Sequence, residues 1–313
     1  MPTTTLEYPM RRGVIDIGTN SVKLLIADIC SGDISPHLET SRQTRLGQGL
    51  YDGGELQPGP VRVTVSAVYE LLSLAKRDGC CDTRIIATSA VREAVNSGDL
   101  IGALCQTVEV LSGDDEARLA FDGVMSCSSL TGTPALVLDV GGGSTEFIVG
   151  DLGGMRFHTS LPLGSVRLME RHPVSDPPTT GELESVRASI DGSLGEASLS
   201  CLCRHLRALG RKSVKMVASG GMAGILAKME LCNDDYDRGR MEAVKLPLSR
   251  VTGWRERLWE LSLATRREIT GLPPNRADVA LYGSLIYEQI MRQLGFVALR
   301  ISTRGIRFGV LRS

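Results

Sequence analysis

The chain has no C-x-x-C pair, and its four histidines are scattered among eight cysteines, so a zinc site is not expected. It has no surplus of positive charge. A net charge of −1 leaves no global basic field for nucleic acid, and any affinity for anions must be local. No apolar run approaches the roughly 18 residues of a membrane span. The opening MPTTTLEYPMRRG lacks the apolar core of a secretion signal. Coiled-coil repeats, low-complexity tracts and short-period repeats are also missing. The expectation is a reduced, cytoplasmic protein with mostly buried cysteines and no nucleic-acid or membrane partner.

What is present is ordinary in bulk and unusual in detail. An apolar fraction of 42% and a charged fraction of 23% over 313 residues suit a soluble chain with room for two domains. The informative stretch is LVLDVGGGSTEFIVG, residues 136–150. Its letters predict strand, tight turn, strand. Glycine lets the backbone approach a bulky anion closely, and successive N–H groups can then point at its oxygens. Ser144 and Thr145 add hydroxyl donors, and Asp139 at the strand end suits a hard cation that takes oxygen ligands. A glycine-rich hairpin without a ligand could carry the same letters. The same layout recurs, however, in GVIDIGTNSVKLLIADI, residues 13–29, with Asp16 before a Gly-Thr-Asn-Ser turn. Two copies in different halves predict two similar lobes facing one phosphate site. Lys23, Arg42, Arg45, Arg92, Arg118 and Arg276 are the basic residues placed near these motifs.

Between the motifs, residues 1–12 read as a loose arm, Gly32-Asp33 as a hairpin turn, 34–46 as extended and 47–59 as a glycine-rich loop. A helix is expected over 59–77, although the alternation Val61-Val63-Val65 also fits a strand. A strand at 84–88 leads into a helix start at Ser89, where N–H groups and Arg92 could attract phosphate. Ser112 is a plausible N-cap for a helix opening with Asp114, Asp115 and Glu116, a placement that needs no function to explain three acids. Further on, one long amphipathic helix is expected over 181–209, and a strand at 214–218 ends in a third glycine turn, Ser219-Gly220-Gly221. A helix then covers 248–263 and another runs from an N-cap at Asn275 to Gly295. Two closing strands follow at 297–302 and 306–311.

In order and wording, these segments resemble the exopolyphosphatase / guanosine pentaphosphatase (Ppx/GppA) family over nearly the whole chain; SGDDEARLAFDGV and LVLDVGGGSTEF are the most specific. The resemblance implies an α/β fold of two ribonuclease H-like lobes around a central cleft, as in actin-like ATPases. It divides the chain at 1–125, completed by 296–313, and 126–295. Glu116 then matches the catalytic base, and Asp139 and Glu146 match acids associated with Mg²⁺, with Mn²⁺ as a substitute. Asn20 and Ser21, together with Gly141, Gly142, Gly143, Ser144 and Thr145, match the two phosphate loops. Arg92 matches a phosphate-binding arginine, Lys23 sits where relatives carry a basic or polar residue, and Arg276 matches a second phosphate arginine. Ser219-Gly220-Gly221 matches a turn that faces nucleotide in actin-like kinases, and Phe308 stands where relatives often carry an acid. Longer relatives add a C-terminal helical domain that extends the polyphosphate channel, which a chain ending at Ser313 is expected to lack.

The implied activity is Mg²⁺-dependent hydrolysis of the terminal bond of inorganic polyphosphate, favouring short chains. Guanosine pentaphosphate hydrolysis is the alternative, and an actin-like nucleotide- or alarmone-binding protein with weak catalysis is a third reading. Relatives are often dimers, so a homodimer is expected.

Overall fold

The structure, a computed structural model, describes residues 9–30, 33–130 and 132–313. Most of the arm expected over 1–12, and Gly32 of the expected turn, lie outside these residues; β1 begins at Met10. The chain forms two compact units. One runs to Leu119 and takes in Ile306–Ser313, and the other is Ala120–Gly305.

The first unit contains, in chain order, β1 (Met10–Ile17), β2 (Ser21–Cys30), β3 (Asp33–Gln43), α1 (Leu50–Gly53), α2 (Pro58–Arg77), β4 (Asp82–Ala87), α3 (Ser89–Glu93), α4 (Ser97–Leu104) and β5 (Val108–Val110). Helix α5 (Gly113–Met125) carries the chain into the second unit. There follow β6 (Ala135–Val140), β7 (Thr145–Asp151), β8 (Gly154–Leu161), α6 (Ser165–Arg171), α7 (Thr180–Ser193), α8 (Glu196–Ala208), β9 (Lys215–Ser219), α9 (Gly220–Leu231) and α10 (Arg238–Ala243). The second unit ends with β10 (Lys245–Pro247), α11 (Leu248–Glu260), α12 (Leu263–Arg266), α13 (Ala280–Leu294) and β11 (Ala298–Ile301), and α14 (Ile306–Arg312) returns to the first.

The first sheet has the order β3-β2-β1-β4-β5, with β1–β3 antiparallel and β4 and β5 parallel to the centre. The second has the order β10-β11-β9-β6-β7-β8, in which β6–β8 repeat the antiparallel meander and β9 and β11 repeat the parallel half. Each unit therefore carries a ribonuclease H-like sheet. Central strands buried on both faces explain the nearly continuous apolar runs. In β1 and β2, Ile15, Ile17, Leu24 and Ile26 pack with Val68, Leu71 and Ala75 of α2. Val14, Leu25 and Ala27 point the other way, onto Phe308, Val310 and Leu311 of α14.

Several expectations are corrected. The segment 306–311 is a helix, because a run this short has no decisive period and its apolar residues pack together on the β1–β2 face. Strand β11 stays with the second sheet, so only Ile306–Ser313 joins the first unit, rather than all of 296–313. The helix expected over 181–209 breaks at Leu194-Gly195, near two glycines of low helix propensity. The helix expected from Asn275 begins at Ala280, after a 3-10 turn at Pro274–Arg276 imposed by the Pro273-Pro274 pair. The Val61-Val63-Val65 alternation is helical in α2, with Val63 51% exposed. None of the eight cysteines is in a disulfide among the described residues, but only Cys127 is buried. Cys105 and Cys232 sit in left-handed positions at helix ends, which face solvent more than the core does.

Candidate active site

In the first unit the β1–β2 turn is clamped from one side. Gly18 N–H donates to Ser21 O at 3.1 Å, and Asn20 O accepts from both Thr44 N and Arg45 N at 3.1 Å. Thr19 O accepts from Gly47 N at 2.8 Å, and a Cβ on Gly47 would strike the Thr19 methyl, so glycine is required there. Asn20 and Ser21 are buried by this clamp. Asn20 Oδ1 accepts from Gln43 Nε2 at 3.3 Å, while its Nδ2 has no partner among the described residues. An orphaned buried donor costs roughly 1–3 kcal/mol, a cost that an anionic acceptor removes.

The acids of α5 separate cleanly. Ser112 caps the helix, its Oγ accepting from Asp115 N at 3.1 Å and donating to Asp115 Oδ2 at 2.8 Å. Asp115 also pairs with Arg118 at 3.0 Å. The Ser112 hydroxyl first, and Arg118 second, hold its carboxyl below the usual range. Glu116 turns inward, to an ion pair with Arg92 Nη1 at 2.8 Å, and its side chain is 15% exposed against 50% for Asp115. The same Nη1 donates to Leu111 O at 2.9 Å, and Arg92 shows no bond from Nε or Nη2 among the described residues. Helix α3 spans only Ser89–Glu93, with the N–H groups of Val91 and Arg92 already paired to Thr88 O, so its end offers less to phosphate than expected.

In the second unit the glycine loop is built by its neighbours. Gly141 N donates to Ser144 O at 2.9 Å, closing the turn. Every glycine carbonyl is then taken by α6: Gly141 O accepts from Ser165 N at 3.0 Å, Gly142 O from Val166 N and Arg167 N at 2.9 and 3.0 Å, and Gly143 O from Arg167 Nε at 2.7 Å. A Cβ on Gly164 would collide with Gly142 O, so this approach needs glycine at 164. The N–H groups of Gly142 and Gly143 have no acceptor among the described residues, the arrangement of an anion nest. The Thr145 hydroxyl donates to Leu163 O. Ser144 Oγ and Ser160 Oγ both donate to Glu146 Oε1, at 2.6 and 3.0 Å.

Asp139 lies directly opposite Glu146 across β6 and β7. Ser219 Oγ donates to Asp139 Oδ2 at 3.3 Å, and Gly220, at φ 85°, brings its backbone so close that a Cβ would overlap Asp139 Oδ1. Tyr287 of α13 is fully buried and donates to Ser219 O at 3.5 Å. Burial first, and the Asp139 charge second, push this phenol well above its ordinary value. In the first sheet the matching pair is Asp16 opposite Lys23, so the repeated hairpin carries a cation where its counterpart carries an acid.

Not every candidate lies at a loop. Arg42 is spent on Glu70 at 2.6 Å and Arg118 on Asp115. Arg276 sits in the 3-10 turn before α13 rather than opening that helix. Residues missed from sequence are Ser160, Gly164, Arg167, Gly220 as a partner of Asp139, and Tyr287. Only Gly220 carried a local signal, as part of the third glycine turn.

The Ppx/GppA phosphatase family model matches residues 25–313. Exopolyphosphatase 2 of Mycobacterium tuberculosis is 31% identical, over 97% of this chain and 98% of that protein. The guanosine-5'-triphosphate,3'-diphosphate pyrophosphatase of Aeromonas hydrophila is 26% identical, over 95% of this chain and 58% of that protein. A crystal structure of the Aquifex aeolicus Ppx/GppA family member superposes with a TM-score of 0.77 at 29% identity, over 97% of each chain. The chain therefore belongs to the Ppx/GppA phosphatase family and is a phosphoanhydride hydrolase.

Proposed function

We propose that the chain is an exopolyphosphatase, releasing the terminal phosphoryl group of inorganic polyphosphate as orthophosphate. The observation that carries this reading is the Gly141–Gly143 loop, whose carbonyls are all engaged by α6 while the N–H groups of Gly142 and Gly143 have no acceptor among the described residues. Glu116 takes a proton from the attacking water, whose oxygen bonds to the terminal phosphorus as the bridging P–O bond breaks. The remaining N–H groups of Arg92 and the loop amides stabilise the charge on the transferring group. Asn20, Ser21 and Lys23 are the first unit's own candidates for holding phosphate oxygens. The product chain is one unit shorter.

Mg²⁺ is commonly held through one or two carboxylates plus substrate phosphates. No group of three His, Cys, Asp or Glu side chains forms a protein cage among the described residues. Asp139 with Glu146 opposite is an all-oxygen donor pair that fits this sparser mode, for Mg²⁺ or Mn²⁺. When bound there, the ion neutralises charge on the terminal phosphates. The eight cysteines form no disulfide among the described residues, which suits a reducing, cytoplasmic setting. A homodimer acting on short chains is what the family resemblance adds to this reading. No helix among the described residues is long and apolar enough to cross a membrane.

The name of the Aeromonas relative favours a second reading, hydrolysis of guanosine pentaphosphate. Phosphate release from polyphosphates of several lengths, guanosine pentaphosphate and ATP separates the two. Release from polyphosphate is expected; turnover of guanosine pentaphosphate alone would establish the second reading, and no release from any of the three would point to a nucleotide-binding role.

A further inference from the structure

Beside the Asn20 turn, the first unit has a cavity of about 350 Å³ that the reading above does not use. Gln43, Thr44, Arg45, Gln48, Gly59 and Arg62 line it, and no carboxylate does. Three features of its wall call for an anion. Thr44 is only 4% exposed and its Oγ1 has no partner among the described residues; it adjoins Asn20, whose Nδ2 is orphaned too, through the Thr44 N to Asn20 O bond of 3.1 Å. Arg45 is held at φ 51°, a left-handed conformation uncommon for a residue with a side chain, by its own bond to Asn20 O and by Gln48 N donating to Arg45 O at 2.9 Å.

The third feature is α2. This twenty-residue helix begins at the cavity without a side-chain cap or an acid in its first turn; Pro58 and Pro60 carry no N–H and Val61 N donates to Gln57 O at 3.0 Å, so the end offers the Gly59 N–H and its dipole. A helix start carries partial positive charge and normally attracts acids. Here Arg62, in the second turn, lines the cavity instead and adds a cation to it.

We propose that this cavity is a subsite for phosphate units of the polyphosphate chain beyond those at the reacting end. The proposal rests on the polyphosphate reading of the active site. The turn at Asn20 and the cavity share the 43–45 segment, so a chain held at the turn continues into the cavity without leaving the protein.

The test is equilibrium binding of long-chain polyphosphate and of tripolyphosphate to the full chain carrying Glu116→Gln, so that neither ligand turns over. Arg62→Gln and Gln48→Glu are added singly; both side chains are exposed, so the fold is expected to survive, which circular dichroism checks. Loss of a charged contact weakens binding by about tenfold. The expected result is that loss for the long chain, a smaller one for tripolyphosphate, and a shallower dependence on salt. Equal loss at both lengths, no loss in either variant, or no binding of polyphosphate at all overturns the subsite. Failure of the polyphosphate reading looks different. The unsubstituted protein then releases no phosphate from polyphosphate, whereas a length-dependent binding loss in the variants still supports the cavity.

Discussion

Asp115 and Glu116 are chain neighbours with different partners, and this difference decides the first expected outcome. Glu116→Gln should lower phosphate release by about 10²–10⁴-fold, the usual cost of losing a general base, with polyphosphate still bound. Asp115→Asn disturbs the exposed helix cap and should leave most turnover. An inactive Asp115→Asn beside an active Glu116→Gln would reverse the assignment. Gly220 gives the second outcome. A methyl there overlaps the Asp139 carboxylate at a backbone angle that side chains avoid. Gly220→Ala should therefore raise the Mg²⁺ concentration needed for half-maximal activity, whereas Gly181→Ala, which meets nothing within 4 Å, should not. An unchanged Mg²⁺ titration in Gly220→Ala would remove Asp139 from metal binding. The letters DVGGGS and SGGM were readable as turns, but their meeting at Asp139 joins residues 80 apart in sequence and had no local signature.

Among the elements, α7 shows how a local motif sets a pH response. Thr179 caps it, with Glu182 reaching back in a full capping box. The Thr179 N–H first, then the Ser175 hydroxyl, lower the Glu182 carboxyl from 4.5 to about 2. A carboxyl depressed on folding adds stability that is complete above its unfolded value and is lost as pH falls through the folded one. The contribution of Glu182 should thus hold above pH 4.5 and disappear towards pH 2. Melting temperatures across that range should fall less steeply for Glu182→Gln than for the unsubstituted protein; superimposed acid limbs would contradict this. The box T-x-x-E was present in sequence, but the expected helix start two residues later left it out.

Over the whole molecule, the same strand order occurs twice, and α14 completes the first unit from the far end of the chain. Phe308, which stands where relatives often carry an acid, is a core residue beside Val14, Leu25 and Leu119. Phe308→Ala should cost about 3–5 kcal/mol, the range for emptying a buried aromatic site, visible as a lower urea midpoint. A midpoint unchanged within error would place Phe308 outside the core. Charge acts at the same scale. The net charge is −1, and several arginines are spent on acids, as in Arg42–Glu70, Arg84–Glu109 and Arg118–Asp115. The cavity beside the Asn20 turn adds only Arg45 and Arg62 to the cations facing a chain, too few for a firm grip on a long polyanion, by analogy with nucleic acids. Long-chain polyphosphate should be cut distributively, with intermediates of all lengths on a gel. Direct passage from full length to orthophosphate would show processive action instead.

Local chemistry by itself determined the two Asp-bearing hairpins, the glycine turns, the cap at Ser112 and the segment order that marks the family. Each depends on backbone freedom, short-range hydrogen bonding or a buried apolar run, all set by residues a few positions apart. Tertiary structure decided which acid turns inward, that 306–311 is a helix, that Arg167 fastens the glycine loop and that Gly220 lies against Asp139. It also decided that Arg42 is spent, while Thr44 Oγ1 beside the cavity and Asn20 Nδ2 in the β1–β2 turn have no partner among the described residues. These outcomes depend on which distant surfaces meet. A side chain's partners are set by packing between elements far apart in the chain, whereas its intrinsic preference concerns only its neighbours.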